Sequence, residues 1–165
     1  MQTSEASQII ISTAQMTNFR QIKALYLASD EYHFQQSPDE FKSPAQMSEQ
    51  RDETGFEQLL ADKNYLVLSA TYQQKIIGIV AGNVGDQQSF ILRQKIVGHI
   101  DEVAVDPSYR GIGCAKKLIS AIEQQFIERG AQEISLNVYE FNADARALYQ
   151  QMGYRDKSFK LVKDL

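Results

Sequence analysis

The stretch VDPSYRGIGCAKKLI, residues 105–119, holds the densest chemistry in this chain. A strand-like run stops at Pro107, a turn carries Arg110, Gly111, Ile112 and Gly113, and an amphipathic helix opens with Lys116 and Lys117 in its first turn. Lysines there oppose the helix dipole by ~0.3–1 kcal/mol each at an exposed site. Free N–H groups at a helix start, reached closely through glycines, form an anion seat, and a bound anion would relieve that opposition. On the turn alone, solvated lysines on a tight turn are an equal reading. Two nucleotide motifs fail: a P-loop ends in Gly-Lys-Ser/Thr, whereas this turn runs Gly113-Cys114-Ala115-Lys116, and a G-x-G-x-x-G fingerprint needs glycine where Lys116 stands. What remains is R-G-x-G-x-A between a strand and a helix.

A second concentration lies just upstream, in HIDEV at 99–103. Strand alternation puts His99, Asp101 and Val103 on one side and Ile100, Glu102 and Ala104 on the other, so Glu102 faces away unless a bulge reverses it. His99 has the intrinsic pKa best suited to proton transfer near neutrality. Asp101 would need a raised pKa, or would instead receive a cation. Cys114 sits at a helix N-terminus, where a thiol pKa can fall. No histidine lies near it in sequence, and it is set aside as a nucleophile.

Positioning these residues takes a layered fold. Residues 9–14 are β-branched and predict a strand. Thr17 caps a predicted helix over 18–32, with Phe19, Ile22, Leu25 and Tyr26 on one stripe. Residues 33–50, with Pro38 and Pro44, read as a loop, and a short helix follows at 53–61. YLVLSATY (65–72) and KIIGIVAGNV (75–84) form a hairpin across Gln73-Gln74, a turn without its usual glycine or asparagine. Residues 90–105 read as one long strand, 113–129 as a helix stopped by Gly130, and 133–139 as a half-buried strand. Asn142 caps a helix carrying Ala145, Leu148, Tyr149 and Met152 on one stripe, and Gly153 ends it. The tail reads as one or two final strands. The order β-α-α-β-β-β-α-β-α-β predicts a layered α/β sheet protein, one domain over 1–165.

Composition narrows the partners. The net charge of −4 argues against general affinity for a nucleic-acid backbone. No apolar run approaches the ~18 residues of a membrane span, and MQTSEASQII has no basic region followed by an apolar one, so no secretory signal is read. One cysteine and two histidines make a zinc site improbable and a reducing, cytoplasmic setting the expectation.

EVAVDPSYRGIGCAKKLI resembles the acetyl-coenzyme A signature of the GNAT N-acetyltransferases, Q/R-x-x-G-x-G/A, with Arg110, Gly113 and Ala115 at its positions. LNVYEFNADARALYQQMGY resembles a second element of that family, the N-x-x-A-x-x-x-Y helix with its G-Y/F ending, through Asn142, Ala145, Tyr149, Gly153 and Tyr154. The resemblance is carried by residues 65–154 and extends to 9–61 in outline. It implies a mixed, mostly antiparallel central sheet flanked by helices, and acetyl-CoA as cosubstrate with no metal. The pyrophosphate would rest on backbone N–H groups of Arg110, Gly111, Ile112, Gly113, Cys114 and Ala115. Pantetheine would run beside Val103, Ala104 and Val105 like an added strand, which requires an edge left open in a splay of the sheet. Members often place a β-bulge there, aiming an N–H near Val105 at the thioester oxygen, worth ~2.7–4 kcal/mol for a fixed donor.

The resemblance assigns Tyr149 as the acid that protonates the thiolate leaving group; a phenol of pKa near ~10 stays protonated at neutral pH. It also implies an acid or histidine at 99 or 101, and His99, Asp101 and Glu102 are the candidates for base or ammonium contact. Tyr139 and Tyr154 read as packing residues. The loop SDEYHFQQSPDEFKSP (29–44) resembles an H-x4-P-x2-F pattern through His33, Pro38 and Phe41, making His33 and Phe41 substrate-side candidates. Its acids suit a cationic amine, small or peptidic. Many members dimerise, so a homodimer is compatible. The rival reading is a non-catalytic acyl-CoA sensor on the same fold.

Overall fold

A computed structural model describes residues 8–165; the segment MQTSEAS, on which the reading of no secretory signal rests, lies outside the described residues. Five strands form one sheet in the order β1 (Ile10–Thr13), β2 (Tyr65–Tyr72), β3 (Lys75–Asp86), β4 (Ile96–Val105) and β5 (Glu133–Leu136). All pairs are antiparallel except β4–β5, which is parallel. On one face, α4 (Cys114–Glu128) buries Leu118, Ile119, Ile122 and Phe126 against Leu66, Leu68, Ile77, Val80 and Ile100. On the other, α1 (Phe19–Gln36) and α3 (Glu53–Ala61) bury Ile22, Leu25, Tyr26 and Phe56 against Val67, Ile79, Ala81 and Ala104. A mixed sheet between two helical layers matches the expected fold class. No helix among the described residues is long and apolar enough to cross a membrane.

Local chemistry explains where the elements depart from expectation. The residues before α1 use Gln15 and Asn18, not Thr17: Gln15 N–H donates to Asn18 Oδ1 at 2.9 Å, closing a 3-10 turn over Met16–Asn18. Helix α1 then runs to Gln36, and the expected loop contains α2 (Pro44–Gln50). Pro44 occupies the first helical position, where its missing N–H costs nothing, and Ser43 and Gln46 close a reciprocal capping box. The strand expected from residue 90 begins at Ile96, because the Ser89 hydroxyl accepts the N–H groups of Ile91 and Leu92 at 3.3 and 3.2 Å and folds 89–92 into a local turn. β5 stops at Leu136 rather than 139.

Beyond Gly153 no strand forms among the described residues. The tail is tied back at three points, Tyr154 Oη to Glu123 at 2.7 Å, Asp156 to Arg146 at 3.9 Å and Lys157 to Glu133. Phe159, Leu161, Val162 and Leu165 stay exposed, so strand-forming residue types there find no face to bury against.

Two features aim the site. The β2–β3 turn has Gln73 and Gln74 both at positive φ, 47° and 67°, a type I′ geometry made without glycine. In the β3–β4 ladder Ala81 pairs with Glu102 and Gly82 with Ile100, which leaves Asp101 as an extra, bulged residue. A Cβ on Gly82 would stand 2.3 Å from the His99 carbonyl oxygen, so the bulge needs glycine opposite it.

Candidate active site

The glycine turn is built from both ends. Asp106 accepts Ser108 N–H at 2.9 Å and Lys75 Nζ at 2.8 Å, and the Lys75 ammonium holds its carboxyl below the ordinary carboxylate range. Gly111 and Gly113 adopt φ of 81° and 88°, a region that favours glycine, and Gly113 is the N-cap of α4. Lys117 N–H reaches Gly113 O at 3.1 Å. The N–H groups of residues 111–116 therefore face outward with no partner among the described residues. Arg110 differs, its N–H donating to Pro107 O at 3.4 Å. Arg110 and Lys116 are exposed beside this cradle, whereas Lys117 turns away and donates to Ile9 O at 3.2 Å. The side chain of Ile112 packs on the core and that of Cys114 is buried within it. Burial pushes the Cys114 thiol up to about 11, the opposite of an activated nucleophile.

The cradle continues into an open strand edge. β5 pairs with β4 only from Val97 to Ile100, whereas β4 runs on to Val105. Residues 101–105 thus have β3 on one side and no strand on the other, and the splay expected from the sequence lies at Val103, Ala104 and Val105. The bulge lies two residues before that edge, at Asp101, rather than within it.

The bulge also changes which side chains meet. Ile100 packs toward α4, but Ala104 packs toward α1, so the alternation reverses between them. Glu102 consequently joins His99 and Asp101 on the α1 side, and Val103 moves to the α4 side, contrary to simple alternation. His99 Nδ1 lies 2.8 Å from Ser135 Oγ, and its Nε2 lies 3.7 Å from Asp101 Oδ1. Asp101 Oδ2 accepts from Asn83 Nδ2 at 3.2 Å, and the pKa of the Tyr65 phenol is driven far up by burial and then by the Asp101 carboxylate.

Glu102 is held differently. Arg51 Nη2 donates at 2.9 Å to both Glu102 Oε1 and Asp30 Oδ1, and its guanidinium lies 4.0 Å over the Tyr26 ring. Burial raises the pKa of both carboxyls, and Arg51 opposes that rise in each. Asp30 Oδ2 is buried with no partner among the described residues. Glu102 is thus engaged by a cation, whereas Asp101 and His99 lie beside each other and beside the neutral side chains of Asn83 and Ser135. Sequence reasoning missed Arg51: it follows the helix within the stretch read as a loop, 51 positions from Glu102, and no local signal marks so distant a pair.

Helix α5 (Ala143–Gln151) packs Leu148, Tyr149 and Met152 against the α4-side core. The Asn142 side chain accepts Ala145 N–H at 3.4 Å, so this asparagine is spent on the helix cap, with Ala145 half-buried behind it. Tyr149 packs on the α4-side core against Tyr154, with ring centroids 5.7 Å apart, and burial raises its pKa. It is thus held as a protonated phenol. Tyr154 packs and hydrogen-bonds Glu123, the structural role expected of it.

His33 and Phe41 meet, with ring centroids 5.3 Å apart, and they do so within a larger group. Phe41 lies 5.0 Å from Tyr139, Tyr139 stacks on Phe141 at 5.3 Å, and Tyr32 lies 6.2 Å from Phe141. Tyr139 is 45% exposed, an open ring rather than the packing residue expected. Tyr32 and Phe141 carried no sequence signal; their rings converge only because the end of α1 comes up against the 139–141 turn.

Known proteins resemble this chain in sequence and in fold. Residues 22–154 match the model of the acetyltransferase (GNAT) family. The chain is 37% identical over 57 residues to the uncharacterized N-acetyltransferase YycN of Bacillus subtilis, covering 34% of this chain and 36% of that protein. It is 30% identical over 89 residues to the N-alpha-acetyltransferase MAK3 of Arabidopsis thaliana, covering 54% and 44%. Each match spans less than half the length of those relatives. Among solved structures, a mutant of the BH1408 protein from Bacillus halodurans superposes with a TM-score of 0.86 over 94% of this chain and 99% of that one, at 22% identity.

Proposed function

The chain belongs to the acetyltransferase (GNAT) family, and from that premise we propose that it moves an acetyl group from acetyl-CoA directly to a primary amine. The observation that carries this reading is the continuity of two unpaired backbone surfaces, the outward N–H groups of 111–116 and the open edge of β4 at 103–105. The first fits a pyrophosphate and the second an extended amide-bearing arm, which together are the recognition elements of coenzyme A.

The chemistry follows from the neighbours of that edge. The amine nitrogen attacks the thioester carbonyl carbon, the carbon–sulfur bond breaks, and the thiolate leaves. Tyr149 gives its proton to the sulfur. The proton released by the amine passes to Asp101 or His99, directly or through water. Backbone N–H groups beside the bulge receive the negative charge that develops on oxygen. Cys114, buried and protonated, takes no acetyl group.

Thiol release from acetyl-CoA, followed with and without a panel of primary amines, tests the reading. Release that requires amine, with the acetyl group recovered on nitrogen and retained activity in Cys114→Ala, is the expected result. Tyr149→Phe should lower kcat by about 10²-fold or more, the scale of a lost general acid, with CoA affinity kept. Tight CoA binding without transfer to any amine would instead favour a sensor on the same fold.

A further inference from the structure

The aromatic group at the end of α1 has a use that the transfer chemistry does not require. Five rings, Tyr32, His33, Phe41, Tyr139 and Phe141, converge with centroid separations of 5.0–6.3 Å, and none is fully buried. Ring faces attract cations. Within three residues of these rings stand Asp30, Glu31, Asp39, Glu40, Glu140 and Asp144, against the single base Lys42. The charge and the ring chemistry thus favour the same kind of ligand by independent means.

A third observation points the same way. Asp30 lies one turn before His33 on α1, is only 6% exposed, and its Oδ2 has no partner among the described residues although Oδ1 is bound by Arg51. A buried acceptor left open is costly unless a donor arrives. Asp30 and His33 stand three residues apart on the same helix. Arg51 links Asp30 to Glu102 on β4, so the end of α1 that carries Asp30 and His33 is tied to the strand with the open edge.

We infer that the acceptor carries a second cationic group, held against the Phe41–Tyr139 rings and the acids around them while its reacting nitrogen lies beside β4. The substrate class is a di- or polyamine. The inference rests on the proposed acetyl transfer for its choice of reacting end, but the cation site is measurable without turnover.

Calorimetric titration of 1,4-diaminobutane and of butylamine into the CoA-loaded protein separates the two. The diamine is expected to bind at least tenfold more tightly than the monoamine, and Tyr139→Leu and Glu140→Gln should each shrink that ratio. Both side chains are exposed, so neither change empties a core. Equal affinities, or a ratio unchanged in both variants, overturn the inference. A diamine preference in binding with no acetyl transfer to any amine would leave the cation site standing and overturn the catalytic reading. Transfer at equal kcat/KM to diamine and monoamine would do the reverse.

Discussion

Arg51 decides how the three candidates on β4 divide their work. Its two 2.9 Å bonds, to Asp30 and Glu102, and its stacking on Tyr26 bind two carboxylates to one cation. The group as a whole keeps one excess negative charge. Burial raises the pKa of both carboxyls. A carboxyl whose folded-state pKa lies above its unfolded value contributes stability at low pH and loses it as pH rises through the folded value. Arg51 limits that loss. Arg51→Met should therefore cost about 2–3 kcal/mol, somewhat below the figure for breaking a fully buried pair because Arg51 is partly exposed. The gap in Tm from wild type should widen as pH rises above the ordinary carboxylate range. A gap that stays constant or narrows with pH would mean that Arg51 does not hold these carboxylates. The candidates His99, Asp101 and Glu102 were legible as residues that titrate. The shared side of His99 and Asp101 was legible too, but that of Glu102 was not, because one inserted residue in a ladder reverses every later position and leaves no mark in composition.

At the scale of elements, turn and cap chemistry was readable where it is local. Asn142, Gly113, Gly130 and Gly153 sit at the helix boundaries assigned to them, each through its own backbone or side-chain geometry. Reading failed where a residue has two meanings. Pro44 reads as a breaker in a loop but opens α2, since proline at the first helical position is favourable. Ile91 and Leu92 are strand formers whose amides are taken by Ser89. The β2–β3 turn shows a cost that the sequence had already signalled by its missing glycine. Gln73 and Gln74 hold φ of 47° and 67°, where a side chain is disfavoured by roughly 1–2 kcal/mol per residue. Replacing them by the preferred pair, Gln73→Asn with Gln74→Gly, should raise stability by about 1–2 kcal/mol in denaturant melts. A neutral or destabilising result would show that these side chains make compensating contacts.

For the whole molecule, the sheet divides the labour. Its α4 face supplies a continuous apolar core, from Ile77 and Val80 to Phe126, that fixes the glycine turn and Tyr149. Its α1 face supplies a core of its own and, along β4, the titratable and cationic groups. Signatures at 105–119 and 136–154 made the fold class, the glycine turn and the helix caps legible, because such backbone features are marked by glycine and asparagine. The aromatic group at the end of α1 was legible only in His33 and Phe41, because it is assembled from side chains far apart in the chain. The central claim is that the Gly111–Gly113 turn seats the acetyl donor for direct transfer to an amine. Initial rates of thiol release, varied in acetyl-CoA and amine for wild type and Gly113→Asp side by side, test it most directly. Aspartate there would place a carboxylate in the anion seat at a φ of 88°. The account predicts release that depends on both substrates and a KM for acetyl-CoA raised at least tenfold in the variant. Release without amine, or an acetyl-CoA KM that Gly113→Asp leaves unchanged, would contradict it.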